Sequence, residues 1–498
     1  MELIEKLNAL VWGTPALVLI LGVGLYLSIR TGFVQLRLFP RALRSFVQKF
    51  RGGKTSHDGV SPYQALCTAL AATVGIGNIA GVAGAIALGG PGSIFWMWIC
   101  ALFGMATKFA EATLAVRYSR KNADGERVGG PMHMIEQGLG KRYRWLAVLY
   151  CFFGVVAAFG VGNATQINAL IGGINSVIIA FGGQERRGVN IFLGFGLALL
   201  IMAMLLGGAK RIGKVAERLV PFASVAYLLL GVGVLIARYA YIPAAFSAII
   251  QGAFSPRAVT GGIFGSMFIA LRIGVSRGTF TNEAGMGTAA IAHGAAQVEH
   301  PAEQGLMGIM EVFLDTVVIC TMTALVILCS GVPIPYGIDQ GIHLTNNAFG
   351  AVYGQWITVP IAIALCCFAL ATVLGWGLYG ARCAQYLFGD QAWKPFVYLQ
   401  AITVVLGAIL NTGTVWLLSE TVNGLMAIPN LLALALLCPE LCRLTKNFTR
   451  RRNTKGGTYE NLKNRTPVAG ITYPKVPSSG GKGEGRWQEN LSSEHRSA

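Results

Sequence analysis

The chain has 498 residues, of which 54% are hydrophobic and 12% charged, with a net charge of +18. An average soluble domain carries about 25% charged residues, so composition excludes an ordinary soluble protein. The apolar residues come in charge-free blocks instead of at amphipathic spacing, which marks a polytopic membrane protein.

In chain order the blocks predict eleven spans, at 10–29, 62–88, 92–118, 146–180, 188–207, 217–238, 260–290, 304–331, 353–386, 396–412 and 415–438. The opening MELIEK is acidic as well as basic and precedes a long apolar run, so it reads as a first membrane helix and not as a signal peptide. Cations crowd alternate loops: Arg30, Arg37, Arg41, Arg44, Lys49, Arg51 and Lys54 in the first, then Arg117, Arg120, Lys121, Arg127, Lys141, Arg142 and Arg144 after the third span. By the positive-inside rule the N-terminus is expected outside and the C-terminus in the cytoplasm. The net charge therefore reflects membrane orientation and gives no argument for nucleic acid. Residues 443–498, rich in Gly, Ser, Asn and Lys, are expected to be a disordered basic tail. The ten cysteines form no paired ligand array, which argues against zinc.

The second span contains TVGIGNIAGVAGAI, residues 73–86. Gly75 and Gly77 sit near its middle and let the backbone leave helical geometry. Inside hydrocarbon, such a break must be satisfied by protein, ion or water. The first half-helix is predicted to end near Val74 with free carbonyls. The second is predicted to begin near Ile79 with free N–H groups, suited to a carboxylate. A dinucleotide loop is excluded, because no strand precedes the glycines and a second apolar span follows. The seventh span, 260–290, is interrupted by GVSRGTFTNEAGMG, which carries Ser276, Thr279, Thr281, Asn282 and Glu283. Two interrupted spans at matching places in two sets of five point to a transporter built from inverted repeats. The predicted organisation is 1–61, an N-terminal helix and basic cytoplasmic loop; 62–258, the first repeat; 259–442, the second; and 443–498, the tail.

Several of these segments resemble the alanine or glycine:cation symporters, the sodium:alanine symporter family. The resemblance rests on VGIGNIAGVAGAI (74–86), GGPGSIFWMWICALFG (89–104), GERVGGPMHMIEQGLG (125–140), GNATQINA (162–169), RGTFTNEAGMGTA (277–289), DTVVICTMTALVIL (315–328) and LGWGLYG (374–380). It implies an all-α membrane fold with a leucine-transporter-like 5+5 core behind one extra helix. It implies symport of alanine or glycine with sodium as co-substrate, no organic cofactor and no enzymatic activity, in a bacterial-type inner membrane. AATVGIGN (71–78) is similar to the first core helix of the leucine transporter. By that match Thr73 and Asn78 would touch one sodium ion. The carbonyls of Ala71 and Val74, with the hydroxyl of Thr372, would face a second. Gly75, Ile76, Gly77, Asn78, Gln166, Ser276, Thr279 and Trp376 are the candidate substrate residues. Ala371, Ile76 and Ala381 depart from the residues usual in the family.

Charged residues in or near spans are costly and demand partners. Arg277, Glu283 and Asp315 are expected to pair among themselves or to serve coupling, and both readings stay open. Lys108 and Glu111, one turn apart, are expected to pair and reach the interface. His57, His133 and His293 are placed in loops. A channel would need a continuous polar pore, and an enzyme would need a nucleophile–base or metal constellation; neither is seen. A proton-coupled amino-acid transporter using Glu283 or Asp315 remains the close rival.

Overall fold

The computed structural model describes residues 11–50, 59–123, 125–254, 267–410 and 413–455, with Lys6 and Asn8. Within them the helices are α1 (Thr14–Arg30), α2 (Phe39–Phe50), α3 (Pro62–Thr73), α4 (Val82–Gly89), α5 (Gly92–Arg117), α6 (Arg144–Phe159) and α7 (Thr165–Ala180). There follow α8 (Arg187–Leu205), α9 (Gly208–Ala237), α10 (Ile242–Phe254), α11 (Met267–Asn282), α12 (Thr288–His293) and α13 (Pro301–Val312). The last are α14 (Thr321–Ser330), α15 (Ile342–Tyr353), α16 (Thr358–Phe388), α17 (Trp393–Ile409) and α18 (Gly413–Lys455). A two-stranded antiparallel ribbon, β1 (Arg120–Lys121) with β2 (Arg127–Val128), lies between α5 and α6, with Arg120 opposite Val128. Residues Met1–Thr449 make one compact unit.

Among the described residues, eight helices can cross a bilayer by length and composition, or nine when the bent pair of α3 and the helix Gly77–Gly89 is taken as one span. They coincide with nine of the eleven expected spans. The first expected span is a described helix of 17 residues, slightly short. The seventh is split between α11 and α12, and its residues 260–266 lie outside the described residues. The apolar helix α10 has 13 residues and corresponds to none of the expected spans. The expected disordered tail is corrected in its first part, because α18 continues to Lys455; residues 456–498 lie outside the described residues, as does His57.

The first break has local causes. Ser61 and Gln64 cap the start of α3 reciprocally, with Pro62 in the first turn. The helix ends when the Gly75 N–H turns to the Asn78 Oδ1 (2.9 Å), leaving the Ala71 carbonyl without the amide four residues on. Val74 is extended (φ −76°, ψ 98°), and the chain resumes in a wide π turn, Gly77–Gly81, at 55° to α3. The second half-helix thus begins at Ile76–Gly77, earlier than the expected Ile79, because the Asn78 side chain supplies the turn. At the second break, Glu283, Gly285 and Gly287 all have left-handed backbone (φ 52°, 98° and 78°).

Close approaches hold the two broken spans in place. Gly375 brings α16 so near α3 that a Cβ there would lie 2.9 Å from the Ala72 Cβ. Gly274 and Gly278 bring α11 against the backbone of α5 at Ser93 and Met97.

Candidate functional site

The two breaks meet around a small chamber. It is lined by Ala72, Thr73, Gly75, Ile76 and Gly77 of the first, Phe280 and Glu283 of the second, Val161 and Gln166, and Thr372 and Trp376 of α16. Its volume is about 20 Å³, the room of roughly one water molecule. Ile76, Gly77 and Phe280 also line a vestibule of about 470 Å³, whose other walls include Asn168, Ser176, Arg277, Asp339 and His343. Ile76, Gly77 and Phe280 are therefore common to the walls of both spaces.

Each chamber side chain has a positional cause. The Thr372 hydroxyl donates to the Phe368 carbonyl (3.0 Å) and lies where a Gly75 Cβ would come within 2.8 Å of it. Thr73 likewise donates its hydroxyl back to the Ala69 carbonyl (3.2 Å), which leaves oxygen lone pairs free. Gln166 follows the π turn Gly160–Ala164; its Nε2 donates to the Val161 carbonyl (3.1 Å), while its buried Oε1 has no partner among the described residues. The Trp376 ring is 1% exposed and packs where Gly162 lacks a side chain. Its indole N–H donates to the Glu283 Oε1 (3.1 Å), and the Thr288 hydroxyl donates to Oε2 (2.6 Å).

The chamber brings together Gly75, Ile76, Gly77, Gln166 and Trp376 of the expected substrate residues. Asn78, Ser276 and Thr279 are not among its lining. Asn78 is buried and committed elsewhere, with its Nδ2 donating to the Asp315 Oδ1 (2.7 Å). Thr279 turns its hydroxyl to the Cys100 sulfur (3.3 Å), because its side of α11 packs on α5. Ser276, half-buried, sits one turn before Phe280. Among the expected ion ligands, Thr73 and Thr372 face the chamber, and Ala71 and Val74 lie on the buried end of α3 beside it.

The expected pairing of the charges is corrected. Arg277 faces Asp339 across the vestibule (3.5 Å), Glu283 is held by Trp376 and Thr288, and Asp315 takes Asn78 and the Thr316 hydroxyl (2.8 Å). Lys108 and Glu111 do not reach an interface; both are fully buried. Lys108 pairs with Glu311 (2.8 Å), whose other oxygen meets the His293 Nε2 (2.8 Å), and the His293 Nδ1 meets Gln304 (2.7 Å). His293 is therefore a core residue of α12, not a loop residue. His133 is also buried, in the short helix Pro131–Met134, where burial and the nearby Arg120 and Arg382 push its ring down to about 3. Sequence reasoning missed Phe280, Glu311 and Asn430. A carboxylate in the apolar run GIMEVFLD was the available signal for Glu311.

Comparison with known proteins decides the family. The model of the sodium:alanine symporter family matches residues 1–463. The chain belongs to that family. Among relatives of this symporter-family chain, the sodium/alanine symporter AgcS of Methanococcus maripaludis is 42% identical over 458 residues, spanning 91% of this chain and 98% of the relative. The probable sodium/glutamine symporter GlnT of Bacillus subtilis is 37% identical over 451 residues, 89% of this chain and 90% of that one. The solved structure of MhsT in complex with L-phenylalanine superposes with a TM-score of 0.54 at 14% identity, covering 79% of this chain and 99% of that one. That likeness shows the shared leucine-transporter-like fold. The family and its relatives make this multi-pass membrane protein a cation-coupled amino-acid transporter, not an enzyme.

Proposed function

We propose that this transporter couples sodium entry to uptake of a small neutral amino acid, alanine or glycine. The carrying observation is the chamber itself, bounded by the bulky Ile76, Phe280 and Trp376 and set at the start of a half-helix. The amides of Ile76 and Gly77 receive the substrate carboxylate, helped by the positive end of the helix dipole, while the Gly75 amide is held by Asn78. No cationic side chain lines this chamber. Trp376, Ile76 and Phe280 crowd this end of the chamber, which favours a hydrogen or a methyl side chain over a larger one when the chamber opens to substrate. Thr73, Thr372 and the carbonyls of Ala71 and Val74 offer only oxygen, the donor set of a hard cation. Asn78 contributes indirectly, by holding the Gly75 N–H away from the Ala71 carbonyl. Residues 62–258 and 259–442 act as the two inverted repeats. The distribution of Lys and Arg supports an N-terminus outside and a C-terminus in the cytoplasm, and the reading places the protein in a bacterial-type inner membrane.

Glu283 on the chamber wall favours one alternative, proton coupling. Purified protein in liposomes separates the two. Labelled alanine should enter under an inward sodium gradient at equal pH, and should not enter under an inward proton gradient without sodium. Glycine should compete, and leucine should not. Uptake driven by protons alone would overturn the sodium assignment. Equal competition by leucine would overturn the substrate assignment.

A further inference from the structure

We infer that Glu111, which touches neither the chamber nor the vestibule, is a positioning residue that sets the geometry of the second break and through it the chamber wall. The inference rests on the chamber being the amino-acid site.

The amides of the break can be followed one by one. The Glu283 N–H donates to the Thr279 carbonyl (2.9 Å), the Ala284 N–H to the Asn282 Oδ1 (3.0 Å) and the Met286 N–H to the Glu283 carbonyl (3.2 Å). The two that remain, from Gly285 and Gly287, both donate to the Glu111 Oε1, at 3.0 Å each. Asn430 of α18 donates to the same oxygen (2.7 Å) and to the Gly285 carbonyl (2.9 Å). All of this is buried, so no water competes to hold the left-handed backbone of Gly285 and Gly287. A carboxylate is well suited to the task, since bonds from N–H groups to a charged acceptor are about twice as strong as neutral ones. Lys108, one turn away, is paired with Glu311, which leaves Glu111 to the amides.

The consequence runs along the chain. Glu283, itself left-handed, is the first residue of the break. Its carboxylate fixes the Trp376 indole, and both groups line the chamber. Releasing Gly285 and Gly287 frees Glu283 to relax toward ordinary helix, and with it the indole loses its anchor.

The test measures alanine uptake by membrane vesicles carrying the parent, Glu111→Gln or Asn430→Ala, together with the melting temperature of each purified protein. Glu111→Gln keeps an acceptor but loses the charge. It should raise the KM for alanine about tenfold, with a melting temperature close to the parent's. Asn430→Ala should raise KM in the same direction by less. A parental KM in Glu111→Gln overturns the inference, whether the melting temperature falls or stays, because a merely structural residue changes the amount of folded protein and not its affinity. Because KM is read in vesicles, a variant too unstable to purify still gives an answer. Should neither variant insert in the membrane at all, the residues are needed for folding alone and the inference is overturned. If the parent itself does not carry alanine, the substrate assignment fails, and the comparison is made with whichever amino acid the parent transports.

Discussion

The two breaks reach the same chamber by different physics. At the first, Gly75 and Gly77 are not left-handed; the residues of positive φ lie elsewhere. Gly75 is small because the Thr372 hydroxyl presses on it, and Gly77 because Thr281 does, at 2.8 and 3.0 Å from where a Cβ would stand. The turn is held from within its own segment, by Asn78. At the second, three left-handed residues in five are held from outside, by Glu111 and Asn430 on other helices. Glycine thus marks close approach in one break and backbone handedness in the other.

Replacing one glycine at each break sharpens that difference. The largest effect is expected for Gly287→Ala. Its φ of 78° disfavours any side chain, and the new methyl would lie 2.7 Å from the Asn430 Cγ. Transport should be lost and stability should fall by at least about 1–3 kcal/mol, read by uptake and thermal melting. Normal uptake would erase the distinction between the breaks. A smaller effect is expected for Gly75→Ala, whose backbone tolerates a side chain. Melting should stay near the parent value while the sodium concentration for half-maximal uptake rises about tenfold, because the methyl displaces the Thr372 hydroxyl. The smallest belongs to Arg277→Gln, in the vestibule beside the second break. Its partially exposed pair with Asp339, at 3.5 Å, is worth at most about 1 kcal/mol, so the KM should change by less than about fivefold. A larger change would tie the vestibule pair to the chamber.

Much of the architecture was readable because a bilayer imposes length: charge-free blocks had to be near 20 residues, and nine of the eleven expected spans match a helix of membrane length or the bent pair. The 13-residue α10 escaped for the same reason, being too short to announce itself. The site was readable where local sequence decides it, as at Gly75–Gly77, Gln166 and Trp376. It was unreadable where partners lie far apart in the chain. Lys108 finds Glu311 and Glu111 finds Asn430 across hundreds of residues, whereas helical spacing suggested that Lys108 and Glu111 would find each other. Ser276 and Thr279 drew attention by their polarity but do not line the chamber, while the apolar Phe280, which lines both chamber and vestibule, carried no such flag.

The close seating of α11 on α5 also bears on how that helix keeps its place in the membrane. With Arg272 and Arg277 within it and Glu283 at its end, α11 is not apolar enough to cross alone. Each such charge costs about 2.5–3.5 kcal/mol at the centre of an isolated helix. The described segment is therefore a poor span by its own length and hydropathy. Its place is secured by packing instead, since Gly274 and Gly278 present a bare backbone on which α5 lies directly. The glycines that seat α11 on α5 thus make the position of the second break a property of the helix pair and not of α11 alone.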